Sequence, residues 1–463
     1  MTRIILFLNE CVPKMVAVAI ILVIAILCLE WYRSWKDRQL KELKKGTRKK
    51  AHGIIFGKKG WKLVYSPEQA EGHVGVFSAS GTGKTASIGI PTLRAWKGTS
   101  YTIDISGDIE RNCPDMPHKL VYAPEKPDTT PYNIFAPIDD LDATEDKNEA
   151  LEQLAFLLMP EEPNMNDNAR FFLVNGRKIL TASFIGYYFQ GMDFIEIAEK
   201  IVESSWQELF RDIDNTGNID AIRYVNGFEG ANEANTAGCK QSCDDALKLF
   251  ATNGKIKRSI RRPKKGEKSV EPKKIEQNNI FVILGEEKLS LYAPLTNILT
   301  SQILSYISTR EVQKKSSPAI LLFLDEYGSL KLDKELILDA VRRFRKRRCR
   351  IMVLMQNTVD LNLLYGADAT RAILSNLKYK VLLGGLGEPE SQKYFASLIG
   401  YKDSTKHSTS SNAKQTTHTE SEAKEWVIEP AELDRQGKDT VILIAADEPD
   451  GYLKLKKNYY FKR

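Results

Sequence analysis

The hydrophobic pattern divides the chain into distinct stretches. The longest uncharged apolar run, "MVAVAIILVIAILCL", occupies residues 15–29. As a helix it rises about 22 Å, short of a roughly 30 Å hydrocarbon core. Extension through Trp31 and Tyr32, with Glu30 snorkelling, predicts a membrane anchor over residues 1–32. Leu27 and Leu29 are not the small residues of a cleavage site, which argues against a signal peptide. Residues 33–70 are charged and read as a basic linker. From Val74 to Ser106 the pattern is strand, glycine turn, helix and strand, the start of an α/β unit. Pro91 lies inside that helix and predicts a kink.

Between residues 140 and about 250 the apolar spacing becomes helical, as in "ALEQLAFLLM" and "ARFFLVNGRKILTASFIGYYF". Residues 255–274 hold ten Lys/Arg against two Glu and read as an exposed loop or hairpin. Buried strand patterns then return: "NIFVILG", "AILLFLDE", "RIMVLMQN" and "YKVLLGG", with "YAPLTNILTSQILSYIS" helical. Strands alternating with helices predict a largely parallel sheet. Residues 404–421 contain ten Ser/Thr without periodicity and read as a mobile loop. The closing "KDTVILIAADEPDGYLKLKKNYY" predicts a strand pair with its turn at Pro449–Gly451.

Composition adds direction and compartment. The 463 residues carry a net charge of +7. Arg33, Lys36, Arg38, Lys41, Lys44, Lys45, Arg48, Lys49 and Lys50 follow the apolar run, and only Arg3 and Lys14 precede it. The positive-inside rule then puts the bulk of the chain in the cytoplasm, with this basic run solvated and touching anionic headgroups. The six cysteines lack CxxC spacing, which disfavours a disulfide framework or a zinc site. Cys239 and Cys243 are four apart, one face of a helix.

The candidate chemistry begins at "SASGTGKTASIGIPTL", residues 78–93. Gly83, Lys84 and Thr85 fit the end of the G-x-x-x-x-G-K-[ST] phosphate loop, with Ser78 at the first glycine position. Backbone N–H groups from Ser80 through Gly81, Thr82, Gly83, Lys84 and Thr85 can cradle a phosphate at a helix start. Lys84 reaches the β/γ-phosphate oxygens, and the Thr85 hydroxyl serves as a Mg²⁺ ligand. The run "AILLFLDEYGSL" ends in Asp325 and Glu326, paired carboxylates that suit a cation and an attacking water. Asp325 joins Thr85 as a metal ligand, and Glu326 is the expected base. Gln356, 31 residues after Asp325, ends another apolar strand, where an amide can sense the γ-phosphate. The cofactors so implied are ATP and Mg²⁺.

With these residues assembled, the sequence resembles the type IV coupling proteins, membrane-anchored ATPases of bacterial conjugation and type IV secretion. Besides the phosphate loop and "IGIPTLRAWKGTSYTIDISGDI", the resemblance rests on "YNIFAPI", "IFVILGEEKLSLYAPL", "FLDEYGSL", "MQNTVDLNLLYGADATRAILSN" and "PAELDRQGKDTVILIAADEP". It implies an α/β fold: a RecA-like P-loop motor domain with an inserted all-α domain and an N-terminal transmembrane anchor. The divisions expected are 1–32 anchor, 33–70 linker, 71–139 motor, 140–255 insert and 256–463 motor. It also implies a homo-hexamer on ATP and DNA, with Arg345 as the finger entering a neighbour's site. Its partners would be single-stranded DNA, a relaxase or protein effectors, channel components and the inner membrane. Ser78 departs from the family's glycine, and Ile4–Leu8 is too short for the second span common there.

Two basic segments, 255–274 and "VRRFRKRRCR" at 341–350, are candidates for phosphate contact without base readout. Three readings differ in class: a coupling motor for single-stranded DNA, a channel-assembly or double-stranded DNA translocase, and a non-motor receptor that ATP switches.

Overall fold

The computed structural model describes residues 43–161, 165–312, 314, 316–412 and 415–462. The expected anchor, residues 1–32, lies outside them. Among the described residues no helix is long and apolar enough to cross a membrane.

In chain order the strands are β1 (Lys44–Gly46), β2 (Gly53–Lys59), β3 (Lys62–Pro67), β4 (Val74–Phe77), β5 (Thr99–Asp104), β6 (Lys119–Tyr122) and β7 (Asn279–Ile283). They continue as β8 (Ile320–Leu324), β9 (Cys349–Met355), β10 (Tyr379–Leu382), β11 (Tyr401–Asn412), β12 (Gln415–Trp426), β13 (Thr440–Ala445) and β14 (Tyr452–Lys456). Twelve of them form one mixed sheet, ordered β1-β3-β2-β14-β13-β10-β4-β9-β8-β5-β7-β6. From β10 to β6 neighbouring strands are parallel, and the other pairings are antiparallel.

The parallel strands are buried on both faces because both are covered, and most of their residues are apolar. In β8, Leu321 and Phe323 enter one core with Val74, Val76, Met352 and Leu354. Ile320, Leu322 and Leu324 enter the other, which runs without a break into the helices following β6. Those helices span Thr144–Leu158 to Gly254–Ser259, between β6 and β7, and their core shares the helix Ala293–Thr309 with the sheet. Cys239 and Cys243 are both buried on the helix Glu233–Thr252, and Cys243 Sγ donates to the Gly176 carbonyl at 2.9 Å.

Four expectations need correction. Residues 43–67 are not a linker. β1–β3 form an antiparallel extension in which Ile54, Ile55, Phe56 and Val64 are buried while most of the lysines stay in water. The charges hid it, because a sheet edge carries lysine on its wet face.

Residues 404–421 are not a loop. β11 and β12 pair over their length, from Tyr401↔Trp426 to Asn412↔Gln415. Threonine suits strands, and the Tyr401 and Trp426 rings stack at 4.3 Å where the ribbon leaves the body.

Residues 255–274 are not a free basic hairpin. Ile256, Ile260, Val270 and Pro272 are buried, and Tyr132 bridges to both Ile260 and Val270. Lys255 pairs with Glu125, Lys257 with Glu199, Arg261 with Glu267 (2.6 Å), Arg262 with Asp139 (3.2 Å) and Lys273 with Asp140 (3.2 Å). Half of the run is therefore neutralised internally.

Pro91 does not simply kink its helix. Residues Thr85–Gly89 form a π turn in which Ile90 N–H donates to the Thr85 carbonyl, and the α-helix Ile90–Ala95 follows. The wider turn places the missing donor of Pro91 at an α-helix start, where no partner is required. The closing strand pair does form, as β13 and β14 turning through Gly451 at φ 71°.

Candidate functional site

The strand order decides where a site can form. β4 runs between β10 and β9, while the chain's next strand, β5, lies beyond β9 and β8. That reversal opens a crevice at the carboxyl ends of the strands. The loop after β4, Asp325 and Glu326 after β8, and Gln356 after β9 all meet there.

The loop is shaped by its glycines and fastened by hydroxyls. Gly81 and Gly83 have φ of 74° and 94°, a region that penalises any side chain. Ser78, standing where the motif has glycine, is fully buried without a positive φ. Its Oγ lies 2.5 Å from Thr82 Oγ1, which donates to the Ala79 carbonyl at 2.8 Å. The departure therefore replaces backbone freedom with a hydrogen-bonded staple. Lys84 Nζ donates to the Ser78 carbonyl at 2.7 Å. Burial lowers its pKa, against the pull of Glu326, Asp325 and Asp360. A partly desolvated ammonium facing carbonyl oxygens is suited to phosphate oxygens.

Asp325 is 9% exposed, and its pKa is pushed up to about 7 by burial first, then by the charges of Asp104 and Glu326. A carboxylate so disfavoured gains when a cation approaches. No cluster of three or more His, Cys, Asp or Glu side chains suited to a metal exists among the described residues. One carboxylate and one hydroxyl, Asp325 and Thr85, are a donor set that fits Mg²⁺, since this ion keeps waters and takes phosphate oxygens.

Glu326 adopts φ 47° and ψ 49°, left-handed backbone rare for a non-glycine residue. The turn carries its carboxylate to Gln356, whose Nε2 donates to Glu326 Oε1 at 2.9 Å and to Ser80 Oγ at 3.3 Å. The amide thus bridges the expected base and the phosphate loop. Strain at such a position is the kind that functional sites retain.

Arg345 is not brought here. It is exposed in the short 3₁₀ segment Phe344–Arg347, ahead of β9, whereas Gln356 follows β9. Seven strand residues separate the two ends, roughly 23 Å. Its neighbours are engaged elsewhere: Arg343 pairs with Asp339 at 2.8 Å, and Arg347 donates to the Arg310 carbonyl.

Sequence reasoning missed several residues. Asp104 closes β5 as Asp325 closes β8, the same signal of a carboxylate ending an apolar strand. It accepts from the Gly107 and Glu110 N–H groups, both at 2.8 Å, and burial raises its pKa. Asp360, raised by burial and then by Glu326, also faces the site. Lys457 Nζ donates to the Thr82 carbonyl at 2.7 Å, and Tyr460 N–H to the Ala86 carbonyl at 3.0 Å. A Cβ on Gly83 would stand 3.1 Å from the Tyr459 ring. No local pattern marks residues 457–460 as a strap over the loop.

The same architecture occurs in solved structures. The bacterial conjugative coupling protein TrwBΔN70 superposes with a TM-score of 0.66 at 18% identity, covering 90% of this chain and 91% of that one. TrwB in complex with ADP and Mg²⁺ gives 0.66 at 18%, covering 92% and 93%. VirB4 of Thermoanaerobacter pseudethanolicus gives 0.51 at 15%, covering 89% and 97%. At these identities the likeness is one of fold: the α/β body with its large mixed sheet is built as TrwB is. In sequence, protein VirD4 of Rhizobium rhizogenes is 23% identical over 435 residues, and protein VirD4 of Agrobacterium fabrum 22% over 434. Each alignment takes in 88% of this chain and 62% of the relative, so the chain spans about three fifths of their length. The family model described as type IV secretory system conjugative DNA transfer matches residues 30–463, and the chain belongs to that family.

Proposed function

We propose that this chain is a membrane-anchored, ATP-hydrolysing coupling protein that recruits substrate and drives it into a type IV secretion channel. Single-stranded DNA with its attached relaxase is the substrate class this reading assigns. The observation that carries it is the bridge from Gln356 to both Glu326 and Ser80, which ties a water-activating carboxylate to a phosphate loop. Family membership and the VirD4 and TrwB likenesses support the direction of the work.

In this mechanism the N–H groups of residues 80–85 and the Lys84 ammonium hold the β- and γ-phosphates of ATP. Thr85 and Asp325 would hold Mg²⁺, which when bound offsets charge on the phosphate oxygens. Glu326 accepts the proton of the attacking water. Gln356, hydrogen-bonded to Glu326, moves with the state of the γ-phosphate. Arg345 lies too far along β9 to serve its own site, which supports an insertion into the site of a neighbouring subunit in a hexamer. The uncharged run at 15–29 supports an inner-membrane anchor with the body in the cytoplasm.

The test is ATP hydrolysis by the full chain, with and without single-stranded DNA, beside Lys84→Ala and Glu326→Gln. Activity that rises with DNA and disappears in both variants supports the motor. Hydrolysis indifferent to DNA sinks it in favour of an ATP-switched receptor.

A further inference from the structure

The antiparallel edge of the sheet carries a feature that the nucleotide site does not use. β2 and β3 are joined by the two-residue turn Gly60–Trp61, closed by the pair Lys59↔Lys62, with Gly60 at φ 64°. Glycine first in such a turn gives a tight hairpin tip. It presents Trp61, whose side chain is 74% exposed, with Lys62 Nζ 5.0 Å from its ring centroid. An indole left in water adds little to the fold but is well suited to a boundary between apolar and wet surroundings.

The surroundings of this indole are basic. Lys58, Lys59 and Lys62 flank it. In β1, Gly46 pairs with Leu63, so the turn that follows, Thr47–Lys50, lies at the same end of the hairpin. That turn is closed by Lys50 and Ala51 N–H donating to the Thr47 carbonyl, both at 2.9 Å, and it exposes Arg48, Lys49 and Lys50. The neighbouring strand adds Lys456 opposite Lys58. Among the described residues none of these seven cations makes an ion pair, unlike Lys255, Arg261, Arg262 and Lys273 of the other basic segment.

We propose that the β2–β3 tip, with Trp61 at its centre and Arg48, Lys49, Lys50, Lys58, Lys59 and Lys62 around it, docks on the anionic surface of the membrane that holds the anchor. This rests on the anchored reading of residues 1–32. Three facts select a lipid surface over nucleic acid. Lysines and an indole at one tip match the headgroup layer, where cations meet anionic lipid and tryptophan sits at the interface. The chain enters β1 at Lys44, opposite Tyr65, and leaves it at Gly46, beside the tip. The intervening residues 33–42 reach at most about 36 Å, so the tip stays within a short tether of the bilayer. The docking fixes how the motor is tilted over the membrane, which a single tethered helix cannot do.

The test uses the full chain in vesicles of neutral lipid, or of neutral plus anionic lipid, with brominated acyl chains as tryptophan quenchers. The emission component lost in Trp61→Phe should be quenched at least twofold in anionic vesicles. It should be unquenched in neutral vesicles and in Lys58→Glu/Lys59→Glu/Lys62→Glu. Retention of the chain in vesicles under alkaline carbonate is read in parallel and should be unchanged in all variants. Trp61 emission untouched by bromine in a chain that is retained overturns the docking and spares the anchor. A chain that is not retained overturns the anchor, and with it this proposal. Trp61 emission that responds to single-stranded DNA without lipid, or only to self-association, assigns the tip to nucleic acid or to a second copy and also overturns it.

Discussion

Gln356 donates to Glu326 at 2.9 Å, joining the tip of one strand to the residue that follows the next. Glu326 accepts it from a left-handed backbone position, φ 47°. Glu326→Gln should therefore leave ATP binding intact and lower kcat by roughly 10²–10⁴-fold, the usual contribution of a positioned base. Gln356→Ala should lower kcat less, and the double variant should be little worse than Glu326→Gln, because the two act as a unit. Steady-state hydrolysis beside nucleotide-binding titrations reads all three. Additive losses would separate the two residues.

Ser78 supplies the hydroxyl that fastens the phosphate loop. Ser78→Ala should cost about 1 kcal/mol, the net worth of one buried hydrogen bond, and weaken ATP binding up to about tenfold. The kcat at saturation should persist, because the hydroxyl contacts no reacting atom in this mechanism. Thermal melting with and without ATP measures the first effect, and kinetics the second.

Arg345 should act only across a subunit boundary. Lys84→Ala and Arg345→Ala chains should each be inactive alone. When mixed, part of the activity should return, from sites pairing an intact Lys84 with a neighbour's intact Arg345. No recovery in the mixture, with assembly verified by sedimentation, would remove Arg345 from the site.

Lys380 offers a test of pH dependence away from the chemistry. It lies in β10, buried, with Nζ donating to the Leu377 carbonyl at 2.6 Å, and burial lowers its pKa to about 8. Unfolded, it binds a proton up to its ordinary 10.5. Between about 8 and 10.5 the unfolded chain holds more protons, so this group makes stability rise with pH there. Below 8 it imposes a constant cost. Lys380→Met should stabilise the protein by about 1–3 kcal/mol at pH 7, and the gain should shrink as pH passes through 8 to 10.5. Melting temperatures at pH 7, 8, 9 and 10 trace this, and a pH-independent difference would refute it.

The parallel half of the fold was legible because doubly covered strands leave unbroken apolar runs, as in "ILLFL" and the "IMVLM" of β9. Lys84 and Thr85 stand in a phosphate-loop spacing, and Asp325, Glu326 and Gln356 where an apolar run stops, which made them candidates. The edge was harder. In β2 only "IIF" between two glycines signals burial, within a segment whose lysines suggest a linker. The β11–β12 ribbon has no apolar alternation in its sequence to mark it. Asp104 carried a usable signal that went unread. Lys457 and Tyr459 carried none, since their role depends on where the sheet brings them.

That last contact has a consequence for how the protein comes into being. Lys457 reaches Thr82 across 375 positions, and β14 joins β2 at the far side of the same sheet. During synthesis the phosphate loop leaves the ribosome long before the segment that braces it. A nascent chain halted short of residue 457 has its glycines and its lysine but an unbraced loop. A chain ending at residue 456 is therefore expected to hold nucleotide less firmly than the finished one, so that the last few residues made decide when the loop is ready.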